Sequence, residues 1–479
     1  MSWRHRLLGL LALAACFQAP APASAHEPEI TSANRPFVSE DAPLIALVGA
    51  RVIDGTGGAP IEGQTLLLRD GKIAAIGPDD AVDLPPGTRR LEMSGKTVLP
   101  CLVQLHEHLW MFGGAVLNVH QSYPKLYLAA GVTTIRTAGA FNPYMDLRTR
   151  DDIAAGRAPG PWIDATVYMD LFGAPRLTDA ASTARYLDFW LDSGFTSVKA
   201  YGYTGEIALA EAIRIAHGRG IKVTGHLCAV TYARAAALGI DNIEHGFAMT
   251  PDFVPGWTSP KTPEEERACG MKALHGLDAL DVDGPEARAL IADLVARNVA
   301  VTSTLPALED LVADIPPQPG VDMLPEPLQA HHRAYRARLG DPSQDVIRLS
   351  PENFDKGVRL ELAFFRAGGL LVSGTDPAVP SAGVVAGYSS ARQLELMVEH
   401  GFTPLEAIRV STLNGAIYLG REALIGSVEV GKQADLLIVE GNPAEEISDI
   451  RKAVLVFKEG VGYDPEALRS SVRGQVGLQ

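Results

Sequence analysis

Apolar positions along the chain fall into two textures. Residues 44–98 carry short alternating runs, Leu44–Val48, Thr65–Leu68, Ile73–Ile76 and Thr97–Leu99, separated by glycine-bearing turns. Alternation with period two sends one face of each segment to a core and the other to water, which is the strand pattern. Asp70-Gly71 and Gly57-Gly58 suit hairpin-type turns, because such turns need residues that accept positive φ. Residues 424–463 return to this texture, with Asp435–Val439 and Ala453–Lys458 set between Gly426, Gly431 and Gly460. The two β-rich ends are expected to pair into one small β-sandwich domain, 44–98 plus 421–463.

The middle, 99–420, alternates short apolar strands with helical stretches. The strands expected are Leu102–Leu105, Thr133–Thr137, Trp162–Val167, Ser197–Ala200, Lys222–Gly225, Asn242–Glu244, Val299–Thr304 and Leu370–Ser373. Amphipathic runs such as Ile207–Arg219 and Ala287–Arg297 lie between them. Strand-then-helix steps of this number predict the α/β class and a parallel (β/α)8 TIM-type barrel. Residues 250–285 and 313–350 are rich in Pro, Asp and Glu without a clear apolar period. They read as insertions in strand-to-helix loops over the barrel mouth.

Composition narrows the function classes. The chain has 479 residues, is 47% hydrophobic and carries a formal net charge of −15. So apolar a chain can bury a large core, and so acidic a one lacks the clustered Lys and Arg that nucleic acid requires. Arg4 and Arg6 precede the apolar run Leu7–Phe17, and Ala23-Ser24-Ala25 forms a small-residue cleavage signal. Residues 1–25 are therefore expected to be a signal peptide, with the protein exported to the periplasm or secreted. The run is too short to span a bilayer. Leu13-Ala14-Ala15-Cys16 also fits a lipoprotein box, which would leave Cys16 lipidated. Processing after Ala25 leaves Cys101, Cys228 and Cys269, so at least one thiol stays unpaired.

The candidate chemistry sits at strand ends. In His106-Glu107-His108 the alternate residues of a strand share a face, so two imidazoles converge, a half-site for a divalent ion. His226, His245 and Asp376 follow three further expected strands, at the face where active sites of such barrels gather. Lys199 ends another strand. A lysine buried there needs either an acidic partner or conversion to a carbamate by carbon dioxide, which would make it an anionic ligand. Arg136, Tyr201, Tyr203, Tyr232 and Arg234 lie near strand ends and are candidates for holding a substrate carboxylate. His120, His331 and His332 lack that placement and read as solvated or structural.

Several of these segments together resemble the amidohydrolase superfamily. They are Pro100–His108, Gly131–Arg136, Val198-Lys199, Gly225-His226, Ile243–Gly246, Gly374-Thr375-Asp376, Gly401–Ile408, Thr412-Leu413-Asn414 and Gly431–Leu436. The likeness runs from about residue 45 to 460. It is greatest to the group related to imidazolonepropionase, which includes dipeptidases of the Xaa-Pro and Xaa-Arg/Lys types with a carbamoylated lysine. The resemblance implies two divalent metal ions, zinc being expected. His106, His108 and Asp376 would hold one, His226 and His245 the other, with carbamylated Lys199 bridging. It further implies Asp376 as proton acceptor and donor, and a small-molecule amide, dipeptide or N-acyl amino acid as substrate. The departures are Cys101, Gln104 and Thr137, where relatives usually carry Gly, Asp and Asp; none of the three is a ligand in the family. Alternatives are a cyclic-amide hydrolase, deaminase or lactonase on the same site, and a non-catalytic binding protein, whose usual mark is a lost ligand. Neither nucleic acid nor a transmembrane span is expected, and a homo-oligomer is compatible with the sequence.

Overall fold

The computed structural model describes residues 30–170, 176–260, 265, 269 and 272–477. The proposed signal segment, with Arg4, Arg6, Cys16 and Ala25, lies outside the described residues. No described helix is long and apolar enough to cross a membrane.

The central sheet contains β1 (Leu102–Glu107), β2 (Val132–Thr137), β3 (Trp162–Asp164), β4 (Thr166–Met169), β5 (Ser197–Ala200), β6 (Lys222–Gly225), β7 (Asn242–Glu244), β8 (Ala300–Ser303) and β9 (Leu371–Ser373). Their order is β3-β2-β1-β9-β8-β7-β6-β5-β4, and every pairing is parallel. The two ends, β3 and β4, are separated in the chain only by Ala165. Helices such as Ala180–Asp192, Glu206–Gly218 and Tyr232–Leu238 connect successive strands. The result is a TIM-barrel-like fold of mixed α/β content. Nearly every strand residue is buried on both faces, as expected of parallel strands covered by helices.

Strands from both chain ends hydrogen-bond into a second, mixed sheet of nine. Leu436–Glu440 pairs antiparallel with Lys96–Pro100, register Leu436↔Pro100 to Glu440↔Lys96. Ile45, Leu47, Leu66, Leu68, Val98, Leu436, Ile438 and Phe457 form its core. Asp70 (φ 50°) and Gly71 (φ 74°) make the tight turn that their identities suggested, joining Ile61–Arg69 to Lys72–Pro78. A Cβ at Gly71 would lie 2.8 Å from the Glu459 carbonyl, so the position also requires a bare backbone. Gly57-Gly58 sits in the longer connection 53–60.

The 313–350 segment is more ordered than its composition suggested. It contains the helix Glu326–Gly340, which buries Leu328, His332, Tyr335 and Leu339. That is a helical stripe in which one of the four positions is histidine. Hydrogen bonds from this helix reach the loop beyond β9, with His331 Nε2 2.9 Å from the Pro380 carbonyl and His332 Nδ1 3.2 Å from that of Ser381. Cys228 and Cys269 are joined by a disulfide across 41 residues of sequence, tying the 250–285 segment to the loop after β6. Cys101 is the free, buried thiol.

Candidate metal centre

His106 is the penultimate residue of β1, its side chain buried, and His108 follows two residues later on the same side. Glu107 points the other way, where its carboxylate accepts hydrogen bonds from the Thr375 backbone N–H (2.9 Å) and hydroxyl (2.7 Å). That bond fastens the segment after β9 against β1. Gly374 makes the approach feasible, because a Cβ there would meet the His106 Cβ at 2.5 Å. Asp376 is thereby delivered to the imidazoles, its Oδ1 lying 3.1 Å from His108 Nε2 and 3.7 Å from His106 Nε2. His106, His108 and Asp376 each offer a ligand atom within 4.8 Å of the others.

The remaining candidates complete a continuous ring. The His245 ring lies 4.5 Å from that of His106 and 4.5 Å from that of His226, centre to centre. Thr304 Oγ1 is 2.9 Å from His245 Nδ1, while the buried His245 Nε2 has no hydrogen-bond partner. An orphaned imidazole nitrogen among other imidazoles is costly unless something electrophilic is to be bound there. His245 (φ 66°) and Asp376 (φ 51°) both hold the left-handed backbone conformation, which is uncommon for such residues and gathers at functional sites. Burial keeps the imidazoles neutral, as metal ligands must be. It lowers His106 to about 4 and His226 to about 3, and holds His245 well below the usual range. Burial opposes ionisation of Asp376, but the surrounding histidines outweigh it and hold the carboxyl well below its ordinary value.

Lys199, on β5, is 1% exposed, and its Nζ is 3.2 Å from His106 Nε2. Among the described residues no carboxylate oxygen forms an ion pair with it, so the salt-bridge account of this buried amine is not realised. Burial lowers its pKa to about 8, bringing the neutral amine within reach. This donor set, four imidazoles, one carboxylate and one amine without an ion-paired carboxylate among the described residues, fits a pair of divalent ions.

A layer of polar groups beneath the ring had not been recognised from the sequence. Glu244 Oε2 lies 2.7 Å from His106 Nδ1, and Glu244 Oε1 accepts from Arg136 Nη2 at 2.6 Å and from the Thr224 hydroxyl. Asn242 accepts from Arg136, Thr224 and Thr302. Burial raises the cost of ionising Glu244, yet Arg136 and His106 overcome it and hold the carboxyl well below the ordinary range. A carboxylate behind a ligand imidazole fixes its tautomer and orientation. The available signal was strand alternation: Asn242 and Glu244 share the inward face of β7, as Arg136 does on β2, and buried charges must pair.

The structure corrects part of the substrate list. Arg136 is fully buried, bound to Glu244 and set 5.2 Å from the Tyr418 ring, so its guanidinium is engaged inside the fold. Tyr232 is also buried, its hydroxyl 3.4 Å from the Glu244 carbonyl. Arg234 lies on the exposed side of helix Tyr232–Leu238 and pairs with Glu206. Tyr201 does reach the site, its ring 4.9 Å from that of His226, and Tyr203 stands 6.1 Å further out. His120 is buried against Asp146 at 2.8 Å, a structural pair. Arg136→Ala is expected to destabilise the fold by about 3–5 kcal/mol, since it strands the Glu244 charge. Urea unfolding checks this; a raised KM at unchanged stability would restore Arg136 as a substrate group.

Comparison with known proteins agrees with this geometry. The profile of the amidohydrolase family matches residues 355–461. An imidazolonepropionase of Symbiobacterium thermophilum is 26% identical over 411 residues, covering 80% of this chain and 84% of that protein. The structure of a Xaa-Pro dipeptidase superposes with a TM-score of 0.63 at 19% identity, covering 88% of this chain and 100% of that one. Ochratoxinase of Aspergillus niger gives 0.59 at 16% identity, covering 91% and 100%. The family match and the full-length relative support the amidohydrolase superfamily. They also support a hydrolase acting on carbon–nitrogen bonds.

Proposed function

We propose that the chain is an exported binuclear amidohydrolase that cleaves the amide bond of a dipeptide or N-acyl amino acid. The observation that carries this reading is the convergence of His106, His108, Lys199, His226, His245 and Asp376 at the ends of β1, β5, β6, β7 and β9. In this assignment His106, His108 and Asp376 would hold one ion and His226 and His245 the other, zinc being the expected metal, with Lys199 serving both as a carbamate. When bound, divalent ions supply Lewis acidity toward the scissile carbonyl and lower the pKa of water to near neutrality. The chain's own residues do the rest. Asp376 takes the proton of the attacking water and returns it to the leaving nitrogen. Glu244 and Thr304 orient His106 and His245, and the barrel wall keeps bulk water from the reacting carbonyl.

The architecture follows the same reading: a (β/α)8 barrel whose ring closes through Ala165, beside a β-sandwich made from the two chain ends. Export is supported by the N-terminal sequence and by the Cys228–Cys269 disulfide, which belongs to an oxidising compartment. Within the superfamily, Lys199 supports the carbamoylated-lysine dipeptidases, and the Xaa-Pro dipeptidase structure has the same fold. The imidazolonepropionase match supports a second reading, a cyclic amide as substrate of the same site. Metal-loaded enzyme assayed on dipeptide, N-acyl amino acid and ring-amide panels separates them: turnover confined to ring amides selects the second. Active protein with well under one divalent ion per chain would reject both.

A further inference from the structure

An aromatic wall stands against the metal ligands on the mouth side of the sheet. Trp110 lies two residues past His108, its ring 4.5 Å from that imidazole. Phe141, beyond β2, packs edge-on against Trp110 at 4.4 Å and faces Tyr168 of β4 at 6.4 Å. Tyr168 in turn meets Tyr201 at 5.8 Å, and Tyr201 reaches His226. The wall therefore runs from one proposed metal position to the other, and all its members follow or end strands at the face that carries the ligands. Trp110, Tyr168 and Ala378, the last only two residues past Asp376, form a hydrophobic cluster of their own, separate from the main core, with Phe141 and Tyr201 partly exposed beside it. Partly exposed aromatic rings against a polar site are what a preformed recognition surface looks like.

The wall is also held rigidly. The Trp110 indole donates to the Gly139 carbonyl at 3.0 Å, and His108 Nδ1 lies 3.3 Å from the same oxygen. Gly139 (φ 108°) lets the Tyr168 ring close in, since a Cβ there would lie 2.3 Å from it. One backbone carbonyl thus fixes both a ligand imidazole and the ring beside it. An aromatic side chain set against these rings gains edge and face contacts.

Building on the amide-hydrolase reading, we infer that the group flanking the scissile bond is an aromatic side chain held by Trp110, Phe141 and Tyr168. Phe141 is the position to test, because it makes no polar bond to a ligand residue as Trp110 does through Gly139. On N-acyl amino acids differing only in side chain, wild type is expected to favour phenylalanine over alanine, lysine and aspartate by at least tenfold in kcat/KM. Phe141→Ala should lose at least tenfold on the phenylalanine substrate and stay within about threefold on the alanine one, with Phe141→Leu between. Calorimetric binding of N-acetylphenylalanine against N-acetylalanine gives a second readout that does not depend on turnover. Cleavage of amides without aromatic preference, or an equal loss on every substrate in Phe141→Ala, overturns the inference and leaves the amide-hydrolase reading standing. No cleavage of any amide, with aromatic-selective binding kept and lost in Phe141→Ala, overturns that reading and leaves the wall as a binding surface.

Discussion

Replacing Lys199 with alanine is expected to abolish turnover, by on the order of 10³-fold or more, and to reduce bound metal from two ions toward one. A fully buried ammonium needs an anion beside it, and this one lies 3.2 Å from His106 Nε2 with no carboxylate paired to it among the described residues. As an amine, Lys199 would crowd a nitrogen that should face a metal. As a carbamate it would add negative charge to a site whose only carboxylate among the proposed ligands is Asp376. If Lys199 is merely packing, Lys199→Ala keeps its metal and loses stability alone. Lys199→Glu discriminates further, since it restores a carboxylate and should recover the second ion in part. Metal content by atomic emission, measured with the kinetics on both variants, decides; Lys199→Ala with near wild-type activity would falsify the bridging role.

The strands, and the meeting of His106, His108 and Asp376, were legible because each signal was local. Two histidines with one residue between them on a strand must share a face, and Gly-Thr-Asp after an apolar run marks a close approach followed by a polar residue. The observed β1 extends to Glu107, past the expected end at Leu105, because the backbone of Glu107 pairs with Thr137 of β2, a strand the local pattern does not bring beside it. The polar layer of Arg136, Asn242 and Glu244 escaped notice for a related reason: each residue alone resembles a rim group, and only the parallel pairing brings them into one plane. The Glu326–Gly340 helix was hidden because His332 occupies one buried position, and a histidine does not register as apolar. The aromatic wall was invisible to periodicity altogether. Its members come from four separate loops and strand ends, and nothing in their spacing announces that they meet.

Asp376→Asn should retain part of the metal while turnover falls by about 10²–10⁴-fold from the lost proton transfer, with a further loss from weaker ligation. Asparagine is the informative replacement. It keeps the shape of the side chain, and it tolerates the left-handed backbone at this position (φ 51°) as aspartate does, so the loop beyond β9 should not rearrange. The anchor between Thr375 and Glu107 is untouched, which leaves the segment fastened to β1. What changes is the chemistry at Oδ1 and Oδ2. The wild-type carboxyl is held ionised by the histidines against the cost of its burial and offers an anionic oxygen to a proton, whereas an amide does not. Alanine here would confuse that loss with a cavity and with removal of the ligand. Metal content and kcat measured together on Asp376→Asn check the assignment. Turnover within tenfold of wild type would mean that another group carries the proton, and the next candidate would have to lie as close to both His106 and His108 as Asp376 does.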